Sequence, residues 1–225
     1  MTGEAPAAPP KDWWLRLGHD LRGPIAPIRM AVQMLRMGSM PAAGKTETLQ
    51  MIDRQVDLLL ANIEAMSELL RINAGTSEFH PVRVDLGDCF ELLEGHSLLM
   101  RELKQSGVSL VTIPWPSPLI VMHDPQPMVS VLDFLVSRFA RRPVRDLALR
   151  LSLRREQDLA VWSIESNATA LSDDTELQYV LGNSLAVNEC EGKAVLAREW
   201  VRLLGLKFLP MDPQDGLAFS LPIEP

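Results

Sequence analysis

Cysteine is scarce in this chain of 225 residues: two are present, Cys89 and Cys190. They lie far apart and form no C-x-x-C motif, which argues against a disulfide framework or a cysteine-ligated zinc site and suits a reducing cytoplasm. Positive charge is also short, since 22 Lys and Arg against 29 Asp and Glu leave a net charge of -7. That is the wrong sign for gathering the phosphates of a duplex, so nucleic acid is not an expected partner. Long apolar runs are missing as well. The one uncharged stretch of membrane-spanning length, between Lys104 and Asp124, is interrupted by Pro114, Pro116 and Pro118 and reads as strand, proline loop, strand. The chain opens Met1-Thr2-Gly3-Glu4, with neither a basic nor a continuous apolar region, so no signal peptide is expected. A cytoplasmic protein without membrane contact is the reading. What is present is ordinary globular material, 47% hydrophobic and 23% charged, sufficient for one large domain or two small ones at ~150 residues each.

Residues 1–11 form a tail rich in proline and alanine, whose composition cannot repay the entropy of ordering. From Asp12 the pattern turns helical. Trp14, Leu17, Leu21, Ile28, Ala31 and Leu35 fall on heptad a and d positions, with Pro24 in the remaining d position. The stretch from Gly38 to Gly44 breaks the pattern, and Thr46 or Thr48 is placed to cap a second helix. On that helix Leu49, Ile52, Val56, Leu59, Ile63, Met66 and Leu70 recur in steps of three and four, ending at Gly75, a C-terminal cap. Two such helices make an antiparallel hairpin with a continuous apolar seam. Pairing of two seams about a twofold axis would close a four-helix bundle, so a homodimer is expected; the alternative is packing on the chain's own second half.

After Gly75 the periodicity changes. Val82–Val84, Val108–Ile113, Leu119–Met122, Leu147–Arg154 and Leu159–Ile164 read as strands, and Lys207–Pro210 with Leu217–Leu221 as a final hairpin. Residues 86–104, 126–141 and 193–204 read as helices. The expected fold is therefore α+β: a helical domain over 12–76, then an α/β sandwich over 77–225.

One stretch is chemically specific: Leu17-Gly18-His19-Asp20-Leu21-Arg22-Gly23-Pro24-Ile25, in the first helix of the hairpin. It resembles the phosphoacceptor box of two-component histidine kinases, H-[DE]-L-R-x-P. The heptad register puts His19 at f, away from a bundle core. A neutral imidazole is a competent nucleophile because histidine titrates near ~6.5. The resemblance gives Asp20 the proton on the other ring nitrogen, and Arg22 supplies a permanent charge for a phosphoryl group or a partner's carboxylates. Pro24 and Pro27 remove helical donors and predict a kink below the histidine. Gly23, Ala26, Met30 and Gln33 follow on the exposed stripe, where small side chains and an adaptable methionine suit docking of a response-regulator receiver domain.

The second half resembles the ATP-binding domain of the same kinases: Val84-Asp85-Leu86 its opening, His123-Asp124-Pro125 its strand-to-helix entry, Gly216 to Pro222 its closing strand. Its nucleotide boxes depart from the family. Where the resemblance implies a magnesium-ligating asparagine stands Arg138, which cannot ligate a cation. The D-x-G-x-G box is replaced by Glu165-Ser166-Asn167-Ala168-Thr169, and the glycine-rich lid shrinks to Cys190-Glu191-Gly192-Lys193-Ala194-Val195. The position four after the histidine, a threonine or asparagine in kinases with phosphatase activity, is Gly23, so that activity is not expected. These departures point to a dimeric histidine phosphotransferase that passes a phosphoryl group between receiver aspartates through His19 without ATP. It would need no cofactor of its own, Mg2+ coming from the receiver, and an upstream hybrid kinase is a further partner that the resemblance allows. The alternatives are an active histidine kinase with a divergent ATP site and a catalytically silent dimeric module that binds a response regulator or kinase.

Overall fold

The computed structural model describes residues 18, 21–38, 40–113, 118–141, 147–167, 174–184, 187–209 and 216–223. Contacts divide the chain into two units, one running to Ser77 and including Val187–Leu196, the other comprising Glu78–Ala186 and Ala197–Pro225.

In the first unit Gly18, Leu21 and Arg22 are helical, and a turn at Gly23 and Pro24 separates them from helix α1 (Ile25–Arg36). The break is the kink that the prolines demand: Pro24 has no N–H, and Pro27 falls in the first turn of α1, where no intrahelical donor is needed. Helix α2 (Ala42–Ala74) returns against α1, with Ala31 fully buried. It starts after Pro41, earlier than the threonines suggested. Thr46 and Thr48 lie inside it, and their hydroxyls donate to the carbonyls of Ala42 at 3.2 Å and Gly44 at 2.7 Å, the back-bonding available to a mid-helix threonine. At the other end Gly75 adopts φ 66, where a side chain would be strained, and the N–H of Thr76 caps the Arg71 carbonyl at 2.9 Å. On α2 Leu49, Val56, Ile63 and Leu70, seven residues apart in turn, are all exposed.

The second unit is built on a five-stranded sheet in the order β2-β4-β5-β7-β6, from β2 (Ser109–Thr112), β4 (Ala148–Glu156), β5 (Leu159–Ser166), β6 (Lys207–Leu209) and β7 (Leu217–Pro222). β2 runs parallel to β4 and the remaining pairs are antiparallel. A smaller antiparallel pair joins β1 (Val82–Asp85) to β3 (Ile120–His123). Helices α3 (Asp88–Glu94), α4 (Ser97–Gln105) and α5 (Pro125–Ala140) pack on one another. Phe90 meets Trp162 edge-on at 4.4 Å between ring centroids, and Trp162 lies parallel to Phe219 at 6.0 Å. Helix α3 thereby rests on the middle of the sheet. Cys89, one residue before, is buried, and its thiol is pushed up to about 12 by that burial first and by Asp88 and Asp85 second.

The expected α+β class holds, with two local corrections. The helix expected over 86–104 is split, because Gly95 ends α3 and His96 takes an extended conformation (φ -75, ψ 92) before α4. A short helix α6 (Thr175–Val180) was not expected; Asp174 caps it, accepting from the Leu177 N–H at 2.9 Å. The Asp124-Pro125 entry to α5 is capped in the same way, by the N–H of Gln126 at 3.1 Å. Helix α7 (Gly192–Leu204) completes the set. Among the described residues no helix is long and apolar enough to cross a membrane.

Gly216, at φ 126, enters β7 so close to β5 that a Cβ atom would fall on the Ile164 carbonyl oxygen. Gly216→Ala is therefore expected to cost more than ~1 kcal/mol, read as a lower urea midpoint with an unchanged slope.

Candidate functional site

His19 and Asp20 lie outside the described residues. On either side of them Gly18 and Arg22 are helical, and Arg22 is exposed. Gly23 in the turn and Ala26, Met30 and Gln33 on α1 are all exposed, so all four residues of the expected docking stripe are accessible, Met30 at 59%. The same face carries Met34 and Met37, four and seven residues beyond Met30 and 39% and 67% exposed. Sequence reading had missed both, although helical spacing alone places them there.

The second place is the end of α5. The Arg138 guanidinium is held in a fork: Nε and Nη2 donate to Asp174 Oδ2 at 2.9 and 2.8 Å, and Nη1 donates to Glu176 Oε2 at 2.6 Å. All three side chains are largely withdrawn from solvent, Arg138 at 17%, Asp174 at 9% and Glu176 at 10% exposure. A buried charge of either sign would be costly alone; here each is paired and hydrogen-bonded. Asp174 uses its other oxygen as the cap of α6, so the ion pair and the helix start fix one another. Asp174 and Glu176 were not singled out from the sequence, but Asp174-Thr175-Glu176 carries the signature of a helix start, with a capping aspartate and an acid in the first turn.

Magnesium nucleotide, which the resemblance implies, does not suit these residues. At the position that the resemblance gives to the magnesium ligand, Arg138 brings a permanent positive charge, which two carboxylates neutralise. At the end of β5 Asn167 is turned to its neighbouring strand, its Oδ1 accepting from the Ala148 N–H at 2.9 Å; Ala168 and Thr169 of that box lie outside the described residues. Around Gly192 the N–H groups of Ala194 and Val195 are spent on the Glu191 carbonyl at 3.0 and 3.2 Å, inside the opening turn of α7. Among the described residues no group of three or more His, Cys, Asp or Glu side chains is placed to hold a metal ion.

No protein-family model matches the chain. No curated protein matches it in sequence. Solved structures do match in fold. The Acinetobacter baumannii histidine kinase AdeS superposes with a TM-score of 0.64 at 15% identity, over 91% of this chain and 96% of that one. Histidine kinase ThkA, in complex with response regulator protein TrrA, gives 0.62 at 14% identity, over 95% of this chain and 61% of that one. A bacterial phosphotransferase gives 0.52 at 12% identity, over 96% and 99%. The chain is thus histidine-kinase-like in fold, with a helical hairpin followed by an α/β sandwich.

Removing one partner of a buried ion pair strands the others, so Arg138→Ala is expected to lose roughly 3 kcal/mol of stability at neutral pH. Arg138→Lys, which keeps the charge without the fork, should fall between it and the parent in chemical denaturation.

Proposed function

We propose that this chain is a histidine phosphotransferase of a two-component phosphorelay, acting through His19 without using ATP. The observation that carries the reading is Arg138: in a histidine-kinase-like fold headed by a His-Asp-Leu-Arg-Gly-Pro box, the position that the resemblance gives to the magnesium ligand holds a guanidinium committed to Asp174 and Glu176. A ring nitrogen of His19 attacks the phosphorus of an aspartyl phosphate on one receiver. The P–O bond to the aspartate breaks, an N–P bond forms, and Asp20 holds or accepts the proton of the other ring nitrogen. Attack by the aspartate of a second receiver reverses the step. Such transfer rests on positioning and on charge neutralisation, to which Arg22 contributes from the protein and the receiver contributes its Mg2+. The printed description of ThkA, in complex with a response regulator, supports a receiver as partner.

The seventh-residue row Leu49, Val56, Ile63 and Leu70 supports a homodimer closed through α2, since a surface stripe of that length on a helix pair buries poorly without a partner. A cytoplasmic location follows from the partners. The likeness to AdeS, described as a histidine kinase, favours a second reading in which the chain phosphorylates itself.

Intact mass and radiolabel separate the two readings. After incubation with magnesium ATP alone no phosphate is expected on the chain. After mixing with purified receiver domains charged by acetyl phosphate, acid-labile phosphate should appear, and His19→Ala should abolish it; label from ATP would establish the kinase instead. Light scattering should give twice the chain mass for the parent and the single mass for Val56→Glu with Ile63→Glu.

A further inference from the structure

The segment between α2 and β1, residues 76–81, has no regular structure and is tied down at both ends. At its start the Ser77 hydroxyl donates to Glu68 Oε1 at 2.6 Å, and the Ser77 N–H donates to the Arg71 carbonyl at 3.1 Å. At its far end the His80 N–H donates to Asp124 Oδ2 at 3.1 Å, and the Phe79 ring stands edge-on to His123 with 6.4 Å between centroids. His123 closes β3, and its Nδ1 is buried with no hydrogen-bond partner among the described residues. Burial lowers its pKa from the ordinary histidine value, so the ring is neutral at pH 7. The charged groups around it are engaged elsewhere. Asp124, next in the chain, holds the His80 N–H with one oxygen and caps α5 through the Gln126 N–H with the other. On the segment itself Glu78 and His80 pair with each other at 3.2 Å. On β1 the residue opposite His123 is Val82, Arg83 alternates to the other face, and Asp85 accepts from the N–H groups of Gly87 and Leu119.

We infer that His123 is a proton-operated latch on this segment, which holds Phe79 and His80 while the imidazole is neutral and releases them when it is charged. A proton added to His123 makes both ring nitrogens donors, and Nδ1 then lies buried where no acceptor meets it. The adjoining carboxylate already spends one oxygen on His80 and the other on the cap of α5. Either Asp124 turns to the imidazolium and gives up the His80 N–H, or the imidazolium turns to water and leaves Phe79; both loosen residues 78–81. Because the folded state favours the neutral ring, the contact contributes fully above the unfolded pKa of ~6.5 and is lost as pH falls through the lower folded value. The segment is therefore held at neutral pH and freed on acidification, whether or not the chain transfers phosphate.

The test is an NMR titration of the full chain that follows the His123 ring signals together with hydrogen exchange at the His80 amide. The ring should titrate below ~6.5. After correction for the intrinsic pH dependence of exchange, the His80 amide should lose roughly tenfold or more of its protection as the ring charges, with the same midpoint. His123→Phe keeps an aromatic ring that cannot charge and should stay protected throughout, and His80→Gln, which removes the other imidazole, should behave as the parent. If His123→Phe departs from the parent's circular dichroism, His123→Gln takes its place with the same expectation. Proteolysis after Phe79 gives a second readout: on acidification the parent should be cut faster than His123→Phe at the same pH, so that the protease's own pH dependence cancels. A His123 ring that titrates at or above ~6.5, protection that stays constant across its midpoint, or a loss of protection that persists without the imidazole would each overturn the inference.

Discussion

A guanidinium cannot shed its charge by titration, and burying Arg138 at the end of α5 obliges the fold to bring carboxylates to it. Asp174 and Glu176 arrive from 36 and 38 residues further along, and the first of them also begins α6. The same contact neutralises a charge and closes a helix end. The side chains at this corner of the sandwich serve structural closure.

The hairpin obeys a different constraint. Two helices bury only the sides they turn to each other, and on α2 the row Leu49, Val56, Ile63 and Leu70 stays exposed. Its exposed leucine, valine and isoleucine row and the methionine-bearing side of α1 are separate surfaces with separate chemistry. The first is aliphatic and periodic, suited to a symmetric partner; the second is deformable, suited to an unlike one.

Much of this was legible in residue order because its physical causes are local. Heptad spacing marked α2, glycine in the left-handed region marked its end at Gly75, and Asp124-Pro125 marked the start of α5. What escaped depends on competition or on distance. Thr46 and Thr48 look like caps, but Pro41 begins the helix first and leaves them to bond backward. The apolar spacing of residues 86–104 continues through Gly95 even though the backbone turns there. Arg138 stood out in the sequence as a departure from the resemblance, while its partners were hidden because no local rule links residues so far apart. On α1 the sequence reading of the docking stripe stopped at Gln33, since small residues guided it, and passed over Met34 and Met37 on the same side.

Cys89, next to Phe90 in α3, is fully buried, and that burial pushes its thiol up to about 12. At neutral pH the thiolate that alkylating agents and peroxides attack is therefore scarce while the residue stays buried. While α3 is seated, oxidants have little purchase on this residue. Once α3 lifts, the sulfur regains ordinary reactivity. Its modification rate is then a clock for opening of the helix layer, set by how often that layer departs from the sheet rather than by the chemistry of the reagent.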